Sequence, residues 1–369
     1  MAEWYTIKNS KEIDSPALII YPERVKENIH VLISMIDDVK RLRPHVKTHK
    51  SKEATALMIE AGIHKFKCAT IAEAEMLAMA GAADVLLAYQ PTEPKLKRFI
   101  SLIKKYRNTR FSGLVDNALS ATIIAKSAHF EDLEISVYID LNVGMNRTGI
   151  NPGKEAFELY QACAILKGIE PIGLHVYDGH IHTKDMEQRK TICDEAFKPV
   201  ELLQKQLSEA GFKTPIIVAG GSPTFPVHAK RKNVECSPGT FIYWDKGYAD
   251  SYPEQLFFPA ALVISRIISM PDEIKLCLDL GYKSISSEND LQNRVYFLNA
   301  PEVKMISQSE EHLIVETNAS HSYQIGDVLY GLPVHICPTC ALYERAQTVK
   351  NNVAAGEWKM IARDRKINI

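Results

Sequence analysis

The sequence contains no run of about 18 apolar residues, so nothing in it predicts a membrane-spanning helix. Its N-terminal segment, MAEWYTIKNSKEIDSP, has neither a basic stretch nor an apolar core, which argues against a signal peptide. The seven cysteines are odd in number and dispersed, which argues against a disulfide framework. A formal net charge of −1 gives no electrostatic reason to expect nucleic acid or an anionic membrane as a partner. We therefore expect a cytoplasmic globular protein.

The first 250 residues alternate between short apolar runs and longer amphipathic stretches, a pattern typical of strand–helix units around a parallel sheet. Eight such units close naturally into a (β/α)8 barrel. An open, doubly wound sheet is the competing interpretation, although no GxGxxG motif follows the first run. The eight runs are RLRPHVK (41–47), FKCAT (66–70), DVLLAY (84–89), FSGLVD (111–116), ISVYIDL (135–141), PIGLHVY (171–177), PIIVAGG (215–221) and ECSPGT (235–240).

The pattern changes after about residue 252. Runs rich in β-branched residues, such as ALVISRIISM (261–270) and DVLYGLPVHIC (327–337), alternate with short turns of Asn, Asp, Ser and Gly. We therefore predict an α/β barrel over residues 14–250, followed by a smaller, mostly antiparallel β domain over residues 251–369. Residues 1–13 are expected to pack with that second domain.

The first run places a lysine where barrel enzymes place their active sites. On a strand, Arg43, His45 and Lys47 share one face, and a polar face inside a barrel is costly unless it is used or paired. Lys47 stands at the carboxyl end of the run, the catalytic end of such barrels. An amine held near other cations becomes a usable nucleophile, so Lys47 is the first candidate catalytic residue.

Two glycine motifs follow the seventh and eighth runs, at VAGGSPTF (218–225) and SPGTF (237–241). Glycine lets backbone N–H groups approach a phosphate closely, and the neighbouring hydroxyls add donors. Phosphate sites at these two strand ends are common in barrels. Each motif alone is also an ordinary turn, but the two together favour a phosphate site.

Two further motifs are rich in histidine. In LHVYDGHIH (174–182), His175 and Tyr177 are expected to point inward, and His180 and His182 lie just beyond as candidate general bases. In LPVHICPTC (332–340), the i, i+2 spacing of His335 and Cys337 on a strand would aim both at one cation. A redox or structural CxxC pair of cysteines remains open for the second motif.

RPHVKTHK is similar to the signature RPHxKTHK of the D-threonine aldolase and D-serine dehydratase group, pyridoxal-phosphate enzymes of the alanine racemase-like fold. The resemblance runs over most of the chain. Supporting matches are NVGMNRTG (142–149), GGSPTF, ECSPGTF, DLGYKSIS (279–286) and the PxHxCPT pattern near residue 335.

The resemblance implies that Lys47 carries pyridoxal phosphate covalently. It further implies that Arg147 lies beside the cofactor ring and that Tyr177 contacts the cofactor or substrate. His175 is a candidate cofactor-binding residue because it shares the inward face of Tyr177. His335 and Cys337 resemble the ligands of a divalent metal, zinc or manganese. The residues expected at the phosphate are Gly221, Ser222, Gly239 and Thr240.

The activity implied is a D-threonine aldolase-like cleavage of a small D-3-hydroxy amino acid to glycine and an aldehyde. The base would be His182 or a metal-bound hydroxide, with His180 as a further candidate. The alternative is a D-serine dehydratase-like elimination to a 2-oxo acid and ammonia. An amino-acid racemase and a non-catalytic pyridoxal-phosphate carrier are further alternatives. By resemblance alone we also expect a homodimer.

Overall fold

The structure is a computed structural model that describes residues 3–369. Contacts divide the chain into two compact units. The barrel unit comprises Leu32–Lys47, Thr55–Gly239 and Asp364–Ile369. The sheet unit comprises the residues up to Val31, together with Thr48–Ala54 and Thr240–Arg363.

Sixteen strands and ten helices are numbered here in chain order. The strands are β1 Ala17–Ile20, β2 Lys65–Cys68, β3 Asp84–Leu87, β4 Arg110–Val115, β5 Ile135–Leu141, β6 Ile169–Val176, β7 Ile216–Ala219, β8 Val234–Cys236, β9 Ala261–Ser269, β10 Lys275–Leu278, β11 Val295–Phe297, β12 Lys304–Gln308, β13 Leu313–Glu316, β14 Val328–Pro333, β15 Arg345–Lys350 and β16 Val353–Lys359. The helices are α1 Pro22–Ser34, α2 Lys52–Glu60, α3 Ile71–Met79, α4 Lys95–Lys105, α5 Ala118–Phe130, α6 Lys154–Ile165, α7 Met186–Glu209, α8 Phe225–His228, α9 Lys246–Ser251 and α10 Ile336–Leu342.

The barrel unit is built on a seven-stranded parallel sheet in the order β2-β3-β4-β5-β6-β7-β8. Residues 42–46 lie at the seam between its two edges, where Leu42 pairs with Cys236 of β8 and His45 pairs with Lys67 of β2. Backbone hydrogen bonds join this segment to both edge strands. The predicted barrel is thus confirmed, with one correction: the predicted first strand makes only two isolated bridges. Pro44 explains the interruption, because it has no N–H to donate to a ladder.

Helices cover the outside of this sheet. They form because their N-termini are capped and because their apolar residues recur at helical spacing. Thr70 caps α3 by accepting from the Glu73 amide, and Asn117 caps α5 by accepting from the Ser120 amide. None of the helices among residues 3–369 is both long and apolar enough to cross a bilayer. Three of the amphipathic stretches of the sequence correspond to α2, α3 and α6, and each helix ends before its stretch does: SKEATALMIEAG (51–62), IAEAEMLAMAGA (71–82) and KEAFELYQACAILKG (154–168).

The inside of the barrel holds both an apolar cluster and buried charged side chains. Leu86, Leu114, Tyr138 and Val218 form the buried interior cluster. Arg43, only 1% exposed, binds Asp84 at 2.5 Å and Glu235 at 2.6 Å. The inward face predicted for Arg43 therefore exists, and the cost of burying its charge is offset by two carboxylates.

The sheet unit is mostly antiparallel, as predicted for the second part of the chain. Its strands follow the order β12-β13-β10-β9-β1-β15-β16, with β14 pairing both β9 and β11. Strand β1, from the N-terminal part of the chain, lies between β9 and β15 and is parallel only to β15. Ile19, Leu262 and Tyr330 belong to the core cluster under this sheet.

Candidate active site

Three cationic side chains of the barrel unit surround one aromatic ring. The ring is that of Tyr177, which directly follows β6. The Arg147 guanidinium carbon lies 4.9 Å from the ring centroid, and the amines of Lys67 and Lys47 lie at 5.7 Å and 5.9 Å. Lys47 is exposed to solvent, whereas Lys67 is buried. This concentration of positive charge at the carboxyl ends of the strands suits an anionic ligand.

His175 is locked by a chain of hydrogen bonds behind this cation cluster. Its Nδ1 lies 2.7 Å from Asp140 Oδ1. The other Asp140 oxygen accepts from the Gln90 amide at 2.8 Å, and Gln90 also donates to Asp116 at 3.0 Å. Because the ionised carboxylate can only accept, Nδ1 of His175 must carry the proton. His175 therefore points inward, as predicted, and its Nε2 is left as an acceptor.

The glycine loop after β7 offers hydrogen-bond donors in a confined space. Gly220 has φ +77°, and a Cβ there would lie 2.7 Å from the His228 ring, so only glycine fits. Gly239 N donates to Ser222 Oγ at 3.2 Å, which joins the two glycine motifs. The buried Ser237 hydroxyl has no partner in the described part of the chain. An unsatisfied buried donor beside two glycine turns fits a phosphate group.

A cluster of buried polar side chains packs beside the glycine loop that follows β7. Asp178 accepts from the Thr224 hydroxyl at 2.8 Å and contacts His228 Nε2 at 2.8 Å. Cys193 Sγ lies 3.4 Å from the same His228 nitrogen. Asp178, Cys193 and His228 are close enough together to hold a metal ion, but burial raises the pKa of the Cys193 thiol to about 12. We assign this cluster to bracing the loop, because its atoms already pair with each other.

The two candidate bases differ in their surroundings. His180 packs against Gly144 of the NVGMNRTG segment, where φ is +122° and a Cβ would lie 2.5 Å from the imidazole Nε2. Its Nδ1 is buried and has no hydrogen-bond partner within residues 3–369. His182 is exposed to solvent. His180 is thus held in place by packing, whereas His182 is open to water.

The sheet unit carries the HxC motif, and here one local prediction was wrong. His335 and Cys337 do not share a strand: β14 ends at Pro333, His335 is the N-cap of α10, and Cys337 lies in its first turn. Pro338 is compatible with this first turn because its missing N–H would have had no helical partner. Thr339 strengthens the turn by donating to the His335 carbonyl at 2.9 Å.

The motif nevertheless brings an imidazole and a thiol together. Cys337 and Glu288 both interact with the His335 imidazole, whose Nδ1 is hydrogen-bonded to Glu288. Cys337 Sγ lies 3.0 Å from Thr48 Oγ1 and 3.8 Å from Thr240 Oγ1. A carboxylate on one imidazole nitrogen is the usual arrangement when the other nitrogen binds a metal. The donors therefore fit a divalent cation.

Asp245 holds the start of α10 in position. It accepts from the Ile336 amide at 3.0 Å and from the Tyr248 amide at 2.9 Å. Burial raises the pKa of this carboxyl to about 6. Cys340, the second cysteine of the CxxC, is completely buried, and burial raises its pKa well above the ordinary value. A buried thiol of this kind is a poor redox partner for Cys337.

Several polar residues of these sites were not predicted from the sequence, among them Lys67, Asp140 and Glu288. Lys67 and Asp140 lie on β2 and β5, and Glu288 lies in a loop of the sheet unit. A signal existed for Lys67 in KFKC, where it alternates with buried apolar neighbours on a short strand. Glu288 gave no comparable signal, because its position depends on how a loop folds.

Comparisons with known proteins agree with this architecture. Residues 20–246 match the sequence family described as alanine racemase, N-terminal domain. Residues 260–349 match the family described as putative serine dehydratase domain.

Curated relatives match the chain over nearly its whole length. D-threonine aldolase from an Arthrobacter species is 25% identical, with 95% of this chain and 93% of that protein covered. 3-Hydroxy-D-aspartate aldolase from Paracoccus denitrificans (strain Pd 1222) is 24% identical, with 96% and 93% covered. D-threo-3-hydroxyaspartate dehydratase from Delftia sp. (strain HT23) is 23% identical, with 95% and 97% covered.

Among solved structures, that of D-threonine aldolase from Filomicrobium marinum superposes with a TM-score of 0.88 at 24% identity. The superposition covers 95% of this chain and 96% of that one. At this identity the likeness establishes the fold.

Proposed function

We propose that this chain, which belongs to the alanine racemase N-terminal domain family and carries a serine dehydratase domain after it, is a pyridoxal-phosphate- and metal-dependent lyase of D-3-hydroxy amino acids. The observation that carries the proposal is the cation cluster around Tyr177, formed by Lys47, Lys67 and Arg147. Such a cluster is costly unless an anion neutralises it, and a phosphorylated cofactor does so.

Lys47 would hold the cofactor covalently, and the other barrel residues would position it. Arg147 and Tyr177 flank the lysine, and His175 lies behind them, fixed by Asp140. The phosphate would be held by Gly221, Ser222, Gly239 and Thr240. When bound, pyridoxal phosphate supplies an electron sink for the bond that breaks at the substrate Cα.

His335 and Cys337 would hold the divalent cation, zinc or manganese. Glu288 would keep the His335 ring oriented so that its second nitrogen faces the ion. Thr48 would donate its hydroxyl proton to the Cys337 sulfur and hold that sulfur in place for the cation. The bound cation would act as a Lewis acid on the β-hydroxyl of the substrate and make its proton easier to remove.

A histidine would take the proton of the β-hydroxyl. The proposal keeps both His182 and His180 as candidates. His180 has a buried Nδ1 without a hydrogen-bond partner among the described residues, so this nitrogen is available to a bound substrate. His182 is exposed, so it could exchange the proton with water. The histidine that acts as base is neutral before it accepts the proton and charged afterwards, so its surroundings must tolerate both forms.

Aldolase cleavage to glycine and an aldehyde is the first choice, because relatives with this activity in their names cover this chain almost completely. Elimination to a 2-oxo acid and ammonia is the second candidate. In that elimination Lys47 would take the α-proton. A cysteine at position 337 as metal ligand slightly favours the dehydratase over the aldolase. A racemase or a non-catalytic carrier would have no use for His335 and Cys337 as metal ligands.

Two substrates distinguish the reactions. The loaded enzyme is incubated separately with D-threonine and D-serine, and the products are identified. We expect glycine and acetaldehyde from D-threonine. Formation of 2-oxo acid and ammonia from both substrates, with no glycine, would replace the aldolase by the dehydratase. Interconversion of enantiomers alone would identify a racemase.

Removal of the metal should abolish turnover while the absorption of bound pyridoxal phosphate persists, because different residues hold the two groups. We expect Cys337→Ala to lose most of its metal, measured by mass spectrometry of the purified protein. Cys340→Ala is the matched control and should retain it, because Cys340 is completely buried. Full metal content and full activity in Cys337→Ala would show that the HxC motif holds no cation.

The remaining expectations from the sequence stand as part of the proposal. The cofactor would be bound by residues within 14–250 and the metal by residues within 251–369. The enzyme would work as a homodimer in the cytoplasm, where sedimentation or light scattering of the loaded protein tests the oligomeric state.

A further inference from the structure

Lys67 is a lysine in an unusual place. It lies on β2, and only 2% of its surface is exposed. Lys65, two residues earlier on the same strand, instead remains 33% exposed and is bound to Glu235. Within residues 3–369, Lys67 makes no ion pair with a carboxylate. A buried ammonium group without a carboxylate is costly to the fold, so a lysine kept there calls for an explanation.

In the part of the chain that the structure describes, the one polar partner of the Lys67 amine is His175, whose Nε2 lies 3.5 Å from the lysine Nζ. The Asp140 carboxylate keeps the proton of His175 on Nδ1, so Nε2 accepts from the ammonium. If the proton moves from Nζ to Nε2, the products are a neutral amine and an imidazolium paired with Asp140 at 2.7 Å. One positive charge is conserved, and it can rest at either end of this contact.

We propose that Lys67 is a second functional lysine of this site, a positioning residue that shares one proton with His175 and thereby sets the charge beside Lys47. The inference rests on the proposed function, since it gives Lys47 a covalent cofactor. With the proton on Nζ, a cation stands close to Lys47; with the proton on Nε2, the charge has moved toward Asp140. Moving the proton to Nε2 replaces an ammonium that has no carboxylate partner among the described residues by an imidazolium paired with Asp140, so the charge beside Lys47 can change.

The surroundings of Lys67 make its proton easy to give up. Burial, followed by the neighbouring Lys47 cation, lowers the pKa of Lys67 from 10.5 to about 7. Other groups facing Lys67 act in both directions, since Asp178 and Asp140 favour the ammonium and Arg43 disfavours it. Tyr177 presents its ring, and Arg147 faces the opposite part of the same cluster.

The direction of the effect on stability follows from this lowered pKa. Between pH 7 and pH 10.5 the unfolded chain holds a proton on Lys67 that the folded chain has released. The free energy of unfolding therefore rises with pH between pH 7 and pH 10.5. Below pH 7 the buried ammonium group destabilises the folded chain by its full amount. Lys67→Met keeps the length of the side chain and removes the penalty. A residue that serves only the fold would destabilise the protein when replaced.

The test compares Lys67→Met with Lys65→Met in the full chain. We expect the cofactor-free Lys67→Met protein to melt at a higher temperature than wild type at about pH 6, with the difference closing by about pH 10. In the loaded wild type, the absorption of bound pyridoxal phosphate should change in a step at a pH below 10.5, because burial, the largest cause of the lowered pKa of Lys67, persists. That step should be absent from Lys67→Met and present in Lys65→Met.

The two readouts separate the possible failures. A Lys67→Met protein that melts lower than wild type at both pH values, or that keeps the absorption step, overturns the inference. If neither the wild type nor the variants bind pyridoxal phosphate at Lys47, the proposed function fails. The melting temperatures of wild type and Lys67→Met then decide alone whether Lys67 destabilises the folded protein. If only Lys67→Met fails to load although it melts at or above wild type, the lysine is required by the site.

Discussion

Replacement of Lys47 by alanine is expected to abolish covalent attachment of pyridoxal phosphate and to lower turnover by on the order of 10⁴-fold or more. Lys47 is the exposed lysine of the cation cluster, whereas Lys67 is buried. An amine must be reachable to exchange its covalent bond with that of an incoming amino acid. Burial therefore argues against Lys67 as the attachment point, in spite of its lowered pKa.

Borohydride reduction of the loaded protein, followed by peptide mapping, should place the label on Lys47. Lys52→Ala is a suitable control, since Lys52 is exposed at the start of α2 and should be replaceable without loss of colour or activity. A label on Lys50 or Lys67, or a Lys47→Ala protein that still binds the cofactor covalently, would contradict the assignment.

The second large effect concerns stereochemistry: we expect D-threonine or D-allo-threonine to react and L-threonine to be essentially inert. In pyridoxal-phosphate chemistry, the bond that breaks lies perpendicular to the ring plane. If the cation at His335 and Cys337 anchors the β-hydroxyl, only one configuration at Cα brings the Cα–Cβ bond to that orientation. The enantiomer would present its hydrogen or carboxylate instead, and losing a placed polar contact costs on the order of 10⁴-fold.

Initial rates of glycine formation from the four threonine stereoisomers measure this preference. Discrimination at Cβ should be weaker, because the methyl group requires only space and a methyl group contributes little to selectivity. Comparable rates with D- and L-threonine would refute an anchored hydroxyl, even if Lys47 were confirmed as the attachment point. The metal-free protein serves as the control for non-enzymatic cleavage.

The sequence predicted the barrel well because parallel strands buried on both faces are short apolar runs, and helices between them are amphipathic. It predicted residues 42–46 as a full strand, because alternation of side chains along RLRPHVK does not reveal which backbone groups find partners. It predicted a strand for His335 and Cys337, but these two residues lie at the start of α10. The apolar run LPVHIC fits a strand, and only the capping geometry at His335 shows that a helix begins there.

Lys67 and Glu288 show why part of each site could not be predicted. Single residues become informative only when the fold brings a partner to them, such as His175 to Lys67 and His335 to Glu288. These pairs join positions far apart in the chain, and no local pattern specifies them. Motifs with fixed spacing, such as the glycine loop, are accessible from sequence because their chemistry depends on neighbours in the chain.

The seam of the barrel bears on how the protein is made. Arg43 and Glu235, which face each other there, are separated by 192 positions in the chain. At the ribosome, residues 42–46 emerge early and then wait for β8, an interval of roughly 10 to 40 s at ordinary rates of synthesis. During that time the amide groups of the seam are satisfied by water, and Arg43 has neither of its carboxylates in place. Lys47 therefore acquires its chemical surroundings only after most of the barrel has been translated, and a nascent chain truncated before β8 should be unable to bind the cofactor.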